Sequence, residues 1–378
     1  MTFRTSSHIF KNKNTLRETI NRKEAQNKIM RSSKVLPQIR KVHLNPQAIK
    51  NPIPNPLPSL SSVSFSGAGF LGCYHLGVAH CLTQHKILPS PGELPTPSTK
   101  TLLGCSAGSI VAAGVSAGIN PETDGMDITL QVLKRTKLNT FKLLDSLTPG
   151  FSLIDQVEGL LLDTMKKYMP YGNDEEYFLR RIDNGKLLRV YLTHTKSFFT
   201  TRQSNDMNYP HYPPSLHYID EYRGIEDVVA ACMLSSYIPG ATGPLSAEYN
   251  SNKTVQRSNQ RLKSLLKYNP TSLKDSFTNK PILDPMESYW DGGLVNNWPI
   301  IDHTTLVVSP LHGDYSPNSS ISPEWDDDDS SVLPKYIKWH GYKINLHSKN
   351  IDALFRMILS SDESVLQQKF NDGYDDTK

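Results

Sequence analysis

At 378 residues the chain is long enough for one large or two ordinary domains, and 37% hydrophobic with 21% charged residues fits a globular protein carrying a polar tail. The net charge of +4 is lopsided: residues 1–50 hold 12 Lys/Arg against 2 Asp/Glu, which is +10 and leaves −6 for the rest, so charge gives the folded part no claim on nucleic acid. Four scattered cysteines (Cys73, Cys81, Cys105, Cys232) exclude a disulfide framework and read as buried thiols of a reducing compartment; no apolar run reaches 18 residues, so no transmembrane helix or secretory leader is expected.

Residues 1–50 are basic, acid-poor and rich in Ser, Asn and Gln. Three readings stay open: a disordered tail, an organelle transit peptide, or a patch for anionic membrane. Asn51–Ser59 (N-P-I-P-N-P-L-P-S) is a proline-rich linker, because proline lacks the N–H that helices and central strands need. Leu60–Ser66 then alternates as a strand and runs into Gly67-Ala68-Gly69-Phe70-Leu71-Gly72. Tyr74, Val78, Cys81 and Leu82 mark a following helix. A strand, a G-x-G-x-x-G loop and a helix invite a dinucleotide site. That site needs an acid about 20 residues on at the end of a second strand, and Glu93 lies in a proline loop instead. The other use of such a loop is an oxyanion hole built from its backbone N–H groups. His75, His80 and His85 are five apart and cannot share one helix face, so they read as surface or packing histidines, and no metal site is expected.

The second strand leads into Gly104-Cys105-Ser106-Ala107-Gly108, a G-x-S-x-G nucleophile elbow with Ser106 on a tight strand-to-helix turn. Its glycines let strand and helix approach without Cβ collisions. The helix Ala107–Gly118 aims its N-terminal amides at the same point. Helices are expected at Pro121–Thr136, Leu153–Tyr168 and Ile225–Ser235, and strands at Leu187–Thr195 and Thr304–Ser309. Phe141–Phe151 is a candidate apolar lid, Phe198–Pro214 a loop, and Asn250–Lys280 a mobile surface excursion. Asp291-Gly292-Gly293 closes a short strand with a turn. Asp326–Asp329 is a solvated acidic loop, without the ligand alternation of a calcium loop. One amphipathic helix is expected over 351–370.

Three motifs occur in order, each after a strand. In a parallel sheet they would converge at the strand C-termini, where Ser106 attacks an ester carbonyl, Asp291 takes its proton, and the 67–72 amides hold the oxyanion. Burial beside Trp290 would raise the basicity of Asp291. A rival is an α/β-hydrolase triad in which His303 or His312 follows Asp291; another is a catalytically silent lipid binder on the same fold.

This set resembles the patatin-like phospholipase family, in particular its animal-type adiponutrin and triglyceride-lipase branch, through the run F-S-G-A-G-F-L-G-C-Y-H-L-G-V-A. The resemblance implies a three-layer α/β/α fold with a mainly parallel central sheet. It implies Ser106 and Asp291 as a dyad without histidine, no cofactor or nucleotide, and a lipid ester substrate. Many relatives carry Arg or Lys before the last loop glycine, where this chain has Leu71. The organisation expected is a basic segment and linker at 1–59, a catalytic domain at 60–315, and an acidic loop with a helical extension at 316–378. The setting expected is intracellular, cytoplasmic or peripheral on membranes or lipid droplets. Head group, ester position, and hydrolysis versus transacylation are left open by the sequence.

Overall fold

Leu57–Lys378 is the unit that holds every described residue. The computed structural model describes residues 60–96, 98–137, 152–169, 175–182, 187–194, 215–239, 241–243, 253–282, 289–315, 319–324, 336–339, 342–358 and 362–378. Residues 1–59 and the segments 141–151, 198–214 and 326–329 lie outside them.

The chain starts as β1 (Ser62–Phe65), whose alternation sends Val63 and Phe65 to one face and Ser62 and Ser64 to the other. Beside it run β2 (Thr101–Gly104) and β7 (Thr305–Val308), both parallel, and then β3 (Leu188–His194), parallel to β2. β4 (Leu216–Ile219), β5 (Leu273–Asp275) and β6 (Tyr289–Asp291) join antiparallel, and the short β9 (Ser320–Ile321) parallels β7. β8 (Gly313–Asp314), β10 (Tyr336–Trp339) and β11 (Tyr342–Asn345) make a second, three-stranded sheet.

Alternate residues of the main strands bury in different clusters. Val63, Phe65, Leu102, Val190, Leu192 and Val308 belong to the large core, whereas Leu103, Tyr191, Tyr218 and Val307 belong to two smaller ones on the opposite face. Both faces are therefore covered, giving a three-layer α/β/α fold around a mainly parallel sheet. The large core is closed by α1 (Gly72–Gln84), α2 (Ala107–Ala117), α3 (Met126–Lys137), α4 (Leu153–Lys167), α5 (Glu175–Ile182) and α6 (Ile225–Ser235). A single π turn over Pro121–Gly125, capped by the Asn120 side chain, leads into α3.

Two expectations need correction. Asn250–Lys280 is not a mobile excursion: it carries α7 (Lys253–Tyr268) and β5. Val255, Leu262, Leu265 and Leu266 form one buried face on a Lys- and Ser-rich helix, so composition concealed the 3.6-residue period. Arg261 on this helix reaches Asp227 of α6 at 2.6 Å, and Arg223 reaches the same carboxylate at 2.9 Å. The C-terminal helix is also two helices, α8 (Ser348–Ile358) and α9 (Glu363–Asp375), the second starting after Asp362, a residue type favoured at an N-cap.

α9 packs along α1 through glycine notches. A Cβ on Gly77 would enter the Phe370 carbonyl, and one on Gly373 would enter the Tyr74 carbonyl. Tyr74 Oη also donates to Asp376 at 2.8 Å. Gly77→Leu should therefore lift α9 from the core and lower stability by roughly 1–3 kcal/mol or more. Chemical denaturation of the variant beside wild type measures it; an unchanged midpoint would show that α9 does not stabilise the unit.

Candidate active site

β2 leaves the sheet at Gly104 and the chain reverses into α2 at Ser106. Ser106 has φ 52° and ψ −133°, a left-handed backbone that costs a non-glycine residue on the order of 1–3 kcal/mol. It is held from both ends. Its N–H is shared by the Ser235 carbonyl (3.1 Å) and hydroxyl (2.9 Å), and its carbonyl accepts from the Ser109 N–H (2.9 Å) and hydroxyl (2.6 Å). The Ser235 hydroxyl in turn donates to Tyr191 O at 2.6 Å, tying the turn to β3.

Register decides what Ser106 meets. Phe65, Gly104 and Val190 are level across β1, β2 and β3, and two residues further Leu192 pairs with Asp291. Gly67, Ser106 and Asp291 therefore stand at one height on one sheet edge. The three motifs do converge, but β6, which bears Asp291, is antiparallel to β3 and not one of the parallel set. Its geometry is fixed by the backbone: Asp291 N–H donates to Tyr237 O at 3.0 Å, and Asp291 O accepts the Thr193 hydroxyl at 2.7 Å.

The Asp291 carboxylate is buried. Oδ1 accepts the Gly293 N–H at 2.7 Å, while Oδ2 closes no hydrogen bond of normal length. Burial pushes this carboxyl up from 3.8 to about 7, and the facing Ser106 hydroxyl and the Gly293 N–H only partly oppose that. The Ser106 hydroxyl thus acts on the carboxylate while Oδ2 closes no hydrogen bond. Among the described residues no histidine is one of the groups that shift Asp291. His303 is exposed just before β7, at the opposite sheet edge, and His312 Nδ1 lies 2.6 Å from Pro323 O. Among the described residues the triad geometry is absent.

The glycine loop is a 3-10 turn, Gly69–Leu71, leading into α1. The amides of Leu71 and Gly72 donate to the carbonyls of Ala68 and Gly69, and that of Gly67 faces the Cys105 thiol. Of the six amides proposed from sequence, those of Ala68, Gly69 and Phe70 remain without a partner. Gly69 has φ +51°, and a Cβ there would enter the Met357 carbonyl of α8. Leu71 is buried in the second core, in one cluster with Trp298. The expected histidine roles are packing ones: His75 is buried, its pKa lowered by that burial to about 4, with Nε2 2.9 Å from Ser66 O. Among the described residues no group of three metal-ligating side chains occurs. Glu93 holds the Ser90 N–H in its own loop, far from the role a dinucleotide would need.

Ser106 opens onto a cavity of about 140 Å³ with almost wholly apolar walls. Exposed Gly69 and half-buried Phe70 and Ser106 line its end at the start of α2, with buried Ser236 beside them, and it extends along α2 toward Ile119 and Gly125. Several site residues lie outside the motifs. Asn297 donates from Nδ2 to Gly67 O at 3.2 Å and strips space from Gly67 and Gly293, strapping two motifs together. The Ser236 hydroxyl is buried without a partner beside the cavity. Only proximity in sequence to D-G-G pointed to Asn297, and nothing pointed to Ser235 or Ser236.

The patatin-like phospholipase family model matches residues 63–302, which spans all three motifs and more than half of the chain. The chain belongs to the patatin-like phospholipase family. This patatin-like chain is 24% identical over 316 residues to mouse patatin-like phospholipase domain-containing protein 2, covering 83% of itself and 49% of that protein. It is 23% identical over 317 residues to human patatin-like phospholipase domain-containing protein 4, covering 84% of itself and 94% of that protein. Human 1-acylglycerol-3-phosphate O-acyltransferase PNPLA3 is 24% identical over 255 residues, 67% of this chain and 38% of that protein. The chain thus spans about half of the first of these relatives and nearly all of the second. No solved structure matches.

The buried carboxyl has a stability consequence. With a folded value near 7 against 3.8, the native state holds a proton that the unfolded chain releases, so stability is lost as pH rises from about 4 to about 7. Asp291→Asn removes that loss. Its melting temperature should exceed that of wild type by a margin that widens between pH 5 and pH 8; a constant margin would mean that Asp291 is ionised throughout.

Proposed function

We propose that this chain is a serine acyl hydrolase of lipid esters, working through Ser106 and Asp291 by way of an acyl-enzyme. The observation that carries the reading is the Asp291 carboxylate, buried with one oxygen unsatisfied and facing Ser106 at the mouth of an apolar cavity. A base with a value near 7 is matched to neutral pH, where an ordinary aspartate would be too weak. Ser106 Oγ attacks the ester carbonyl and Asp291 takes the hydroxyl proton. The free amides of Ala68, Gly69 and Phe70 support the oxyanion. Collapse expels the alcohol, which takes the proton from Asp291. Water then attacks the acyl-enzyme, gives its proton to Asp291 and releases the fatty acid, with the proton returned to Ser106.

The relatives' names support both fates of the acyl group: two are called phospholipases and one an O-acyltransferase. A lipid hydroxyl in place of water converts the same second step into transfer. Contact with a lipid surface is supported by α8. Its inner side buries Asn350 and Ala353, while Ile351, Phe355 and Ile358, at i, i+4 and i+7, are 42%, 61% and 65% exposed. That stripe sits on the helix whose Met357 carbonyl abuts Gly69, beside the mouth. Among the described residues no helix is long and apolar enough to cross a membrane.

The decisive assay measures fatty-acid release from a phosphatidylcholine, a lysophospholipid, a triacylglycerol and a short-chain nitrophenyl ester, with a lysophospholipid added as acyl acceptor in a parallel arm. Ser106→Ala and Asp291→Asn should each lower release by at least about a thousandfold, and folded wild type that neither releases nor transfers acyl groups would sink the reading. For the nitrophenyl ester, the acid limb of kcat/KM should lie near pH 7, not pH 4, because only ionised Asp291 accepts the proton. Ile351→Ser with Phe355→Ser and Ile358→Ser should weaken flotation with phospholipid vesicles while the nitrophenyl ester is still turned over; undiminished flotation would remove α8 from the contact.

A further inference from the structure

The cavity is not a round pocket. Its walls follow α2 turn by turn through Ala107, Ile110, Val111, Gly114 and Val115 and end at Ile119, Pro121 and Gly125. Opposite α2, the wall is built by Ile128 and Val132 of α3 and Val157 and Leu161 of α4. The polar groups of two further lining residues are turned into the protein: the Thr129 hydroxyl donates to Gly125 O at 3.0 Å and the Thr242 hydroxyl to Ser236 O at 2.8 Å. The polar side chains that remain in the lining, Ser106 and Ser236, lie together at the N-terminal end of α2, where Ser235 binds the Ser106 N–H. At the far end Ile119, Pro121, Gly125 and Leu76 are all buried, so that end is closed.

We infer that this channel receives a single straight acyl chain, laid along α2 from the Ser106 ester, and that Gly114 is the residue that admits its distal end. The inference rests on the acyl hydrolase reading and names the part of the substrate that this site selects. An apolar slot with one polar end is complementary to a fatty acyl ester and offers nothing to a sugar, peptide or nucleotide. The eleven residues of α2 rise about 16 Å, room for roughly a dozen extended carbons before the buried end. Gly114 lies eight residues past Ser106, about 12 Å along the helix. A Cβ there would approach Ile119 Cδ1 at an ordinary 3.7 Å, so alanine fits, while a leucine must project into the channel. Glycine in a helix interior is otherwise a poor choice against alanine, so its presence here costs helix stability and leaves the channel open.

The test compares nitrophenyl esters of four to sixteen carbons on wild type, Gly114→Ala and Gly114→Leu. Wild-type kcat/KM should climb with length, by up to roughly fourfold per buried methylene, and level off or fall beyond about twelve carbons. Gly114→Leu should lower the dodecanoyl-to-butanoyl ratio at least tenfold, with Gly114→Ala, the folding control, close to wild type. A ratio that Gly114→Leu leaves unchanged overturns the channel while the hydrolase reading stands. A second readout needs no turnover: dodecanoate binding to Ser106→Ala by calorimetry should weaken at least tenfold when Gly114→Leu is added. If wild type hydrolyses no ester yet this binding difference holds, the hydrolase reading fails and the channel stands; equal binding by both proteins overturns the channel.

Discussion

A carboxylate kept away from water, with no cation of the described residues acting on it, is the constraint on which the rest of this structure turns. Burial of Asp291 is unfavourable for its charge, and the surroundings offset that only with one backbone amide and the interacting hydroxyl of Ser106. The arrangement persists because both partners are fixed by backbone and not by their own attraction. β6 pins Asp291 through three register pairs with β3. Ser235 and Ser109 pin Ser106 in a backbone that its side chain does not favour. The sheet and α6 thus supply the stability that the pair itself forgoes, the usual relation between a poised site and its scaffold.

The same logic explains the crowding of the glycine loop. Register brings Gly67 level with Ser106, and Asn297 fills the remaining space between the loop and D-G-G. On its outer side Gly69 is met by the α8 carbonyl at Met357. The loop is therefore gripped between a side chain from the strand edge and a helix from the opposite layer. Two of its amides are consumed in making the turn, and those of Ala68, Gly69 and Phe70 take no part in it.

What the sequence disclosed follows from what is local. G-x-S-x-G and the glycine loop are contiguous, since each needs close backbone approach within a few residues, and Ser106 and Gly67 sit where those motifs put them. Strands such as Leu188–His194 and helices such as Ile225–Ser235 are apolar enough to be read directly. α7 was missed because four buried leucine and valine positions are diluted by lysine, asparagine and serine on its outer side. The direction of β6 could not be read either: a three-residue strand carries no mark of whether its partner runs parallel. Asn297 and Ser235 act through hydrogen bonds across 230 and 129 residues of chain, a relation no local pattern contains.

Leu71 links the site to the second layer in a way the motif alone conceals. The Leu71 side chain is wholly buried in the second core, in one cluster with Trp298 and Val307, where a long cation would take its charge out of water. Trp298 is itself stacked on Tyr315 at 4.9 Å and edge-on to Trp339 and Tyr342, and the Ala353 face of α8 closes that cluster. An apolar residue at 71 therefore seats the loop against an aromatic block that also carries α8. Loop, block and helix thus share one buried cluster, and packing joins α8 to the loop beside Ser106.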